Sequence, residues 1–229
     1  MCAFILGAIA QSSWDASDHL LHENLLPILL REFRNETATN YRHITTHTML
    51  ILCSSEPAPS LELISPIVPF LVSNLLTHQD PVIVTGICLA ITKLLSFHKF
   101  PELLTSNLWR SIVRLPDRGV RLGNTQLQNA ALGLVRQMTL GDESQIDTLI
   151  SCGVLTVLIR ILSGLHGNDT KCEACKILSS IVCRSPKLID AIVQAGAIEL
   201  LQMQFQRYSN HFLGEEAALV IVNMFSMAI

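Results

Sequence analysis

KCEACKILSSIVCRS, residues 171–185, holds three thiols and can be read in two ways. Cys172 and Cys175 have ligand-like spacing, but a closed zinc site takes four donors, and the nearest extras are Cys183 and His166. In the other reading, Ala174, Leu178, Ile181 and Val182 recur at i, i+4, i+7 and i+8, the stripe of a buried helix. The helix puts Cys172, Lys176 and Ser180 on one outward row, turns Cys175 toward the core and leaves Cys183 at the end, so the thiols diverge and no metal is expected. A helix with such a stripe needs neighbours to cover it.

Those neighbours recur along the chain. FILGAIA begins at Phe4, HTMLILC at His47, LAITKLL at Leu89, GLVRQMT at Gly133, KILSSIV at Lys176 and LVIVNMF at Leu219, at intervals of 42 to 44 residues. A second helix precedes each of the later five: LLPILLREF from Leu25, IVPFLVSNLL from Ile67, LWRSIVRL from Leu108, VLTVLIRIL from Val154 and AIELLQMQF from Ala197. Ahead of these lie short helical stretches closed by turn residues, clearest at Gly153 and Gly196, which can take the left-handed cap conformation. No stretch alternates apolar and polar residues in the manner of a strand.

Three helices per unit of 40 to 47 residues is the armadillo pattern, and a lone unit cannot cover its own apolar face. The expected fold is therefore all-α: a right-handed armadillo-repeat α-solenoid, or α-α superhelix, whose third helices line a concave groove. The expected units are a third helix at 1–13 and repeats at 14–56, 57–99, 100–141, 142–184 and 185–229. Opening inside a third helix, the chain reads as part of a longer protein or as having a ragged N-terminal cap.

Composition removes several function classes. With 16 basic and 19 acidic residues, no Lys/Arg run supplies the counterion-releasing patch that nucleic acid binding needs. No segment approaches the roughly 18 uninterrupted apolar residues of a membrane span. The apolar opening MCAFILGAIAQSS lacks the positive first region of a secretory leader. Seven scattered cysteines suit a reducing compartment. His22-Glu23 begins a zinc-protease motif, but Leu26 stands where its second histidine is required. Without a phosphate loop, a nucleophile elbow or a pocketed acid–base pair, no enzyme and no cofactor are expected.

ILCSSEPAPSLELISPIVPFLVSNLLTHQDPVIVTGICLAITKL, with its Pro57–Pro59 linker, resembles the importin alpha family, as do LGDESQIDTLISCGVLTVLIRIL and LIDAIVQAGAIELL. The resemblance implies an adaptor in nuclear protein import, moving between cytoplasm and nucleus. Its groove would hold a protein cargo's extended, lysine-rich nuclear localisation signal, and a basic N-terminal arm, if one lies upstream, would bind importin beta. It also implies a Trp on each third helix with an Asn four residues later, one above the other on a single face. The indoles grip lysine stems and the amides pin the peptide backbone.

Here the Trp-type positions hold Phe4, His47, Leu89, Lys176 and Leu219, with Gly133 in place of the family's usual Arg. The Asn-type positions hold Ala8, Ile51, Lys93, Gln137, Ser180 and Asn223, and a signal-binding aspartate aligns with Ser12. Each lost indole slot removes about 1–2 kcal/mol where desolvated, and Lys93 and Lys176 would repel a basic peptide. Glu173 and Glu216, with Asn223, would attract a basic side chain; the same glutamates also read as carboxylates favoured on first helical turns. Glu143 lies near the start of the following unit, and His47 would gain charge slightly below neutral pH. The Trp-type and Asn-type positions, with Gly133, Glu173 and Glu216, make up the expected peptide-binding groove. The alternative is a degenerate armadillo scaffold that binds an unrelated protein segment, without import activity, on a groove made more apolar by Ile51, Leu89 and Leu219.

Overall fold

The computed structural model describes residues 2–97, 106–184, 186–209 and 211–227, and every regular element among them is helical. The described residues form two compact units, 1–108 and 109–229. The first contains α1 (Cys2–Ser12), α2 (Trp14–His22), α3 (Leu25–Asn35), α4 (Thr39–Cys53), α5 (Leu61–Ile64), α6 (Val68–Thr77) and α7 (Pro81–Phe97). A 3-10 turn, Ser65–Ile67, joins α5 to α6. Helix α8 (Ser106–Arg121) crosses the boundary. The second unit continues with α9 (Thr125–Met138), α10 (Glu143–Ser151), α11 (Val154–Ser163), α12 (Asn168–Arg184), α13 (Ile189–Gln194), α14 (Ala197–Arg207) and α15 (Phe212–Met227). The expected repeat boundaries at 99–100 and at 185 fall outside the described residues.

The order short helix, turn, helix, loop, helix recurs in α2–α3–α4, α5–α6–α7, α10–α11–α12 and α13–α14–α15. Turn chemistry positions it. Gly153 and Gly196 have φ of 89° and 77°, the left-handed conformation that reverses the chain between first and second helices. Asn24, at φ 58°, does the same between α2 and α3; its short polar side chain tolerates a conformation closed to branched residues. Asp142 starts α10 with a reciprocal capping box to Gln145. The second helix from Leu108 is longer than LWRSIVRL: α8 runs through Pro116 to Arg121. Burial of Leu115 and Pro116 offsets the hydrogen bond that proline removes.

The same offset in sequence reappears as contact in space. In the first unit the Thr48 hydroxyl donates to the Ala3 carbonyl at 3.0 Å, joining α4 to α1. In the second, Thr170 Oγ1 donates to Asn129 Oδ1 at 2.7 Å between α12 and α9. Asn223 Nδ2 donates to Ser179 Oγ at 2.7 Å between α15 and α12. Gln204 Nε2 reaches the Leu162 carbonyl at 3.1 Å between α14 and α11. These partners lie 41 to 45 residues apart, one repeat. Equivalent helices of successive repeats therefore pack side by side within each unit.

Small residues permit that approach. A Cβ on Gly7 would stand 2.8 Å from Thr48 Oγ1, and one on Gly86 would stand 2.7 Å from Thr46 Cγ2. Around these contacts the first unit buries Leu26, Met49, Leu52, Leu71, Ile83, Ile87 and Leu94, and the second buries Leu127, Leu158, Leu178, Ile181, Leu201 and Val220. Each such side chain contributes about 1.5–3 kcal/mol relative to exposure. Phe33 meets Phe70 edge to face at 4.9 Å, with the Arg42 guanidinium 5.3 Å from the Phe33 ring centre.

Candidate functional site

The third helices α4, α7, α9, α12 and α15 share one pattern of burial, whereas α1 buries Ala3, Gly7 and Ala10 and leaves Ile5 and Ile9 exposed. In HTMLILC, Thr48, Met49 and Leu52 are buried, while His47 is exposed and Ile51 half-buried. The corresponding buried residues are Ala90, Ile91 and Leu94 in α7, Leu134, Val135 and Met138 in α9, Ile177, Leu178 and Ile181 in α12, and Val220 and Met224 in α15. A period of 3.6 turns the second, third and sixth positions inward and the first and fifth outward. Solvent therefore reaches Phe4, Ala8, His47, Ile51, Leu89 and Lys93 in the first unit. In the second it reaches Gly133, Gln137, Lys176, Ser180, Leu219 and Asn223.

In the first unit this face is open and largely apolar. Phe4 is 64% exposed and Leu89 40%, with His47 between them in repeat order. The Ser12 hydroxyl, where the family resemblance expects an aspartate, donates to the Ile9 carbonyl at 2.7 Å and carries no charge to a ligand.

The second unit corrects the sequence reading of Glu173. Its carboxylate is already held: Lys176 Nζ lies 2.8 Å from Oε1 and Arg136 Nε lies 3.2 Å from Oε2. Lys176 also stands 5.3 Å from the centre of the Phe212 ring. Glu173 thus has little charge left for an incoming base, and Lys176 repels such a base less than a free ammonium would. Glu216, half-buried, makes no ion pair among the described residues. The Asn223 amide nitrogen donates to Ser179 Oγ at 2.7 Å, and the residue is half-buried. At Gly133 no atom lies within 4 Å of where a Cβ would be, so α9 presents an open notch. Glu143 is paired with Lys187 at 2.8 Å.

Cys172 does not join the outward row with Lys176 and Ser180. It is 4% exposed, and burial raises its thiol's pKa. Cys175 is fully buried and its thiol is pushed up to about 12. Cys183 is exposed. Residue 172 sits one helical turn ahead of Lys176 on α12, a helix packed against α9, α11 and α15, and the stripe pattern alone did not show that these neighbours would cover it. Among the described residues no three His, Cys, Asp or Glu side chains gather as a metal site, and no single helix is long and apolar enough to cross a membrane.

Sequence reasoning missed a cavity of about 340 Å³ in the first unit. It is lined by Ala10, Gln11, Ser13, Trp14, Ile51, Ser54, Ser55 and Glu56, the C-terminal ends of α1 and α4 with the start of α2. Ser13 caps α2 by accepting the Ala16 N–H at 3.1 Å, which fixes Trp14 as the first residue of that helix. Ser55 is held by Ser17 Oγ. The indole is 40% exposed, and Glu56 is exposed with no ion pair among the described residues. One sign was present in the sequence: Trp14 is one of only two tryptophans and follows a capping serine, at a polar helix start where cores rarely place one.

No protein-family model matches the chain. It is 27% identical over 179 residues to importin subunit alpha-1a of Oryza sativa subsp. japonica, covering 76% of this chain and 32% of that protein. It is 25% identical over 177 residues to importin subunit alpha-8 of Arabidopsis thaliana, covering 76% and 38%. The chain therefore spans about a third of the length of these curated relatives. A designed armadillo repeat protein in complex with the peptide (KR)4 superposes with a TM-score of 0.78 at 17% identity, over 97% of this chain and 91% of that one. Computationally designed armadillo repeat proteins for modular peptide recognition give 0.78 at 16% identity, over 96% and 91%. The fold is the all-α armadillo-repeat solenoid.

Proposed function

We propose that this chain is a peptide-binding armadillo module of an importin-alpha-like adaptor in nuclear protein import. It would hold an extended segment of a cargo protein along its third-helix faces and move between cytoplasm and nucleus. One observation carries the reading: in α4, α7, α9, α12 and α15 the first and fifth positions of the third helix reach solvent while the second and sixth are buried. An extended strand spaces its side chains regularly, and a face repeating once per helix meets them in register. Similarity to the two plant importin alpha subunits supports the import role, and the designed armadillo protein bound to (KR)4 supports a basic peptide as ligand.

The tryptophan and asparagine ladder that the family resemblance implies is reduced here to Asn223, whose amide is engaged by Ser179. Several lost contacts of about 1–2 kcal/mol each move the affinity for a lysine-rich signal from micromolar toward millimolar. The ligand of this module is therefore a segment with fewer lysines and more apolar side chains than an ordinary signal, matched to Phe4, Ile51 and Leu89. A peptide-array screen tests this. Selection of extended segments mixing basic and apolar residues supports the reading, and absence of any saturable peptide ligand sinks it.

A further inference from the structure

We propose that the cavity between the ends of α1 and α4 is an arginine pocket, formed by Trp14 and Glu56. The inference rests on the peptide-binding reading above, since a peptide lying beside Ile51 supplies the side chain. Ile51 both belongs to the outward face of α4 and lines the cavity, so the pocket opens from the face on which a peptide would lie. The chemistry of the lining favours a cation. Glu56 is a carboxylate without a counter-charge among the described residues. The other polar groups of the wall are Gln11, Ser13, Ser54 and Ser55, whose oxygens accept hydrogen bonds, and no Lys or Arg lines the space.

The arrangement favours guanidinium over ammonium. Trp14 offers an indole, on which a planar guanidinium stacks. Glu56 offers two oxygens to a fork of N–H donors, and the Ser54 hydroxyl and the Gln11 amide oxygen are placed to accept from the rest, the Ser13 and Ser55 hydroxyls being engaged at Ala16 and Ser17. An ammonium is a strongly hydrated point charge with three donors; it cannot stack, and it leaves part of this wall unpaired. The volume of about 340 Å³ accommodates a whole arginine side chain.

The test uses N-acetyl-arginine methylamide and its lysine counterpart, titrated into the protein and followed by the indole N–H resonance of Trp14. Trp109, 2% exposed, is the internal reference. The arginine probe is expected to shift Trp14 saturably at millimolar concentration, with the lysine probe about tenfold weaker. Glu56→Gln is expected to weaken the arginine probe about tenfold without changing the thermal midpoint, since Glu56 is an exposed loop residue. No saturable shift, equal shifts by both probes, or an unaffected Glu56→Gln variant overturns the pocket. If the arginine probe binds while no peptide titrates on the third helices, the pocket stands and the peptide-binding reading fails. If peptides bind there while the probe leaves Trp14 unmoved, the pocket fails and that reading stands.

Discussion

Lys176 Nζ lies 2.8 Å from Glu173 Oε1, one turn earlier on α12, and this pair sets the charge of the second unit's third-helix face. Because Arg136 holds the other carboxylate oxygen, removing one member changes what an incoming peptide meets. Lys176→Met should free half of the carboxylate and tighten binding of a lysine- and arginine-rich peptide about two- to fivefold. Glu173→Gln should do the reverse by leaving two cations uncompensated. Fluorescence anisotropy at low and high salt measures both; equal effects of the two substitutions would contradict the assignment.

Gly7 and Gly133 make opposite predictions about packing. At Gly7 an added methyl meets Thr48 Oγ1 at 2.8 Å and strains the hydroxyl that bonds the Ala3 carbonyl, so Gly7→Ala should cost about 1–3 kcal/mol. At Gly133 the methyl meets nothing within 4 Å, and Gly133→Ala should stabilise α9 by about 0.5–1 kcal/mol. Urea denaturation of the two variants, read as the sign of each change, decides between these packing assignments and their reverse.

The repeat, and with it the fold, is legible because burial is periodic. HTMLILC and KILSSIV bury the same positions since the helix period alone fixes which side faces the neighbouring repeat. What stayed hidden depends on side chains from different repeats. Glu173 and Arg136 are 37 positions apart in sequence, and no pattern along α12 shows that the carboxylate is occupied. Cys172 lies at the margin of the outward row and is covered by a neighbouring helix. The cavity is assembled from α1, α2 and α4, so Trp14 and Glu56 become partners only after the chain has turned twice. Periodicity encodes a helix's orientation, whereas the population of a site depends on the register between helices.

Asp80 ties α7 to α4, accepting the Val82 N–H at 2.8 Å and holding His43 Nε2 at 2.7 Å. Burial opposes its ionisation, but hydrogen bonds from the His43 ring and from the Val82 and Ile83 N–H groups outweigh burial and hold the carboxyl below its ordinary value of 3.8. The unfolded chain binds this proton more tightly, so the stabilisation is present above pH 3.8 and disappears as pH falls through the lower folded value. Asp80→Ala should therefore cost about 0.5–2 kcal/mol at neutral pH, with the gap to the parent narrowing in acid. Thermal melts at neutral and acid pH check it; a gap that widens in acid would contradict the sign.

Leu89 and Lys93 occupy the paired outward positions of α7, and both are exposed. Leu89→Trp together with Lys93→Asn would install an indole slot and a backbone-pinning amide while removing a repelling charge. The double variant should bind a lysine-rich peptide about tenfold more tightly than the parent, with each single variant intermediate. Isothermal titration of the set measures this, and an unchanged affinity would place the peptide away from α7.

The most direct test of the central claim is a chemical-shift map of the protein titrated with (KR)4. Weak, saturable, salt-sensitive shifts are expected at the outward positions of the third helices, including His47, Ile51 and Leu89 in one unit and Ser180, Glu216 and Leu219 in the other, and at Trp14 beside Ile51. Shifts concentrated on the second helices α3, α6, α8, α11 and α14, or none at millimolar peptide, would contradict it.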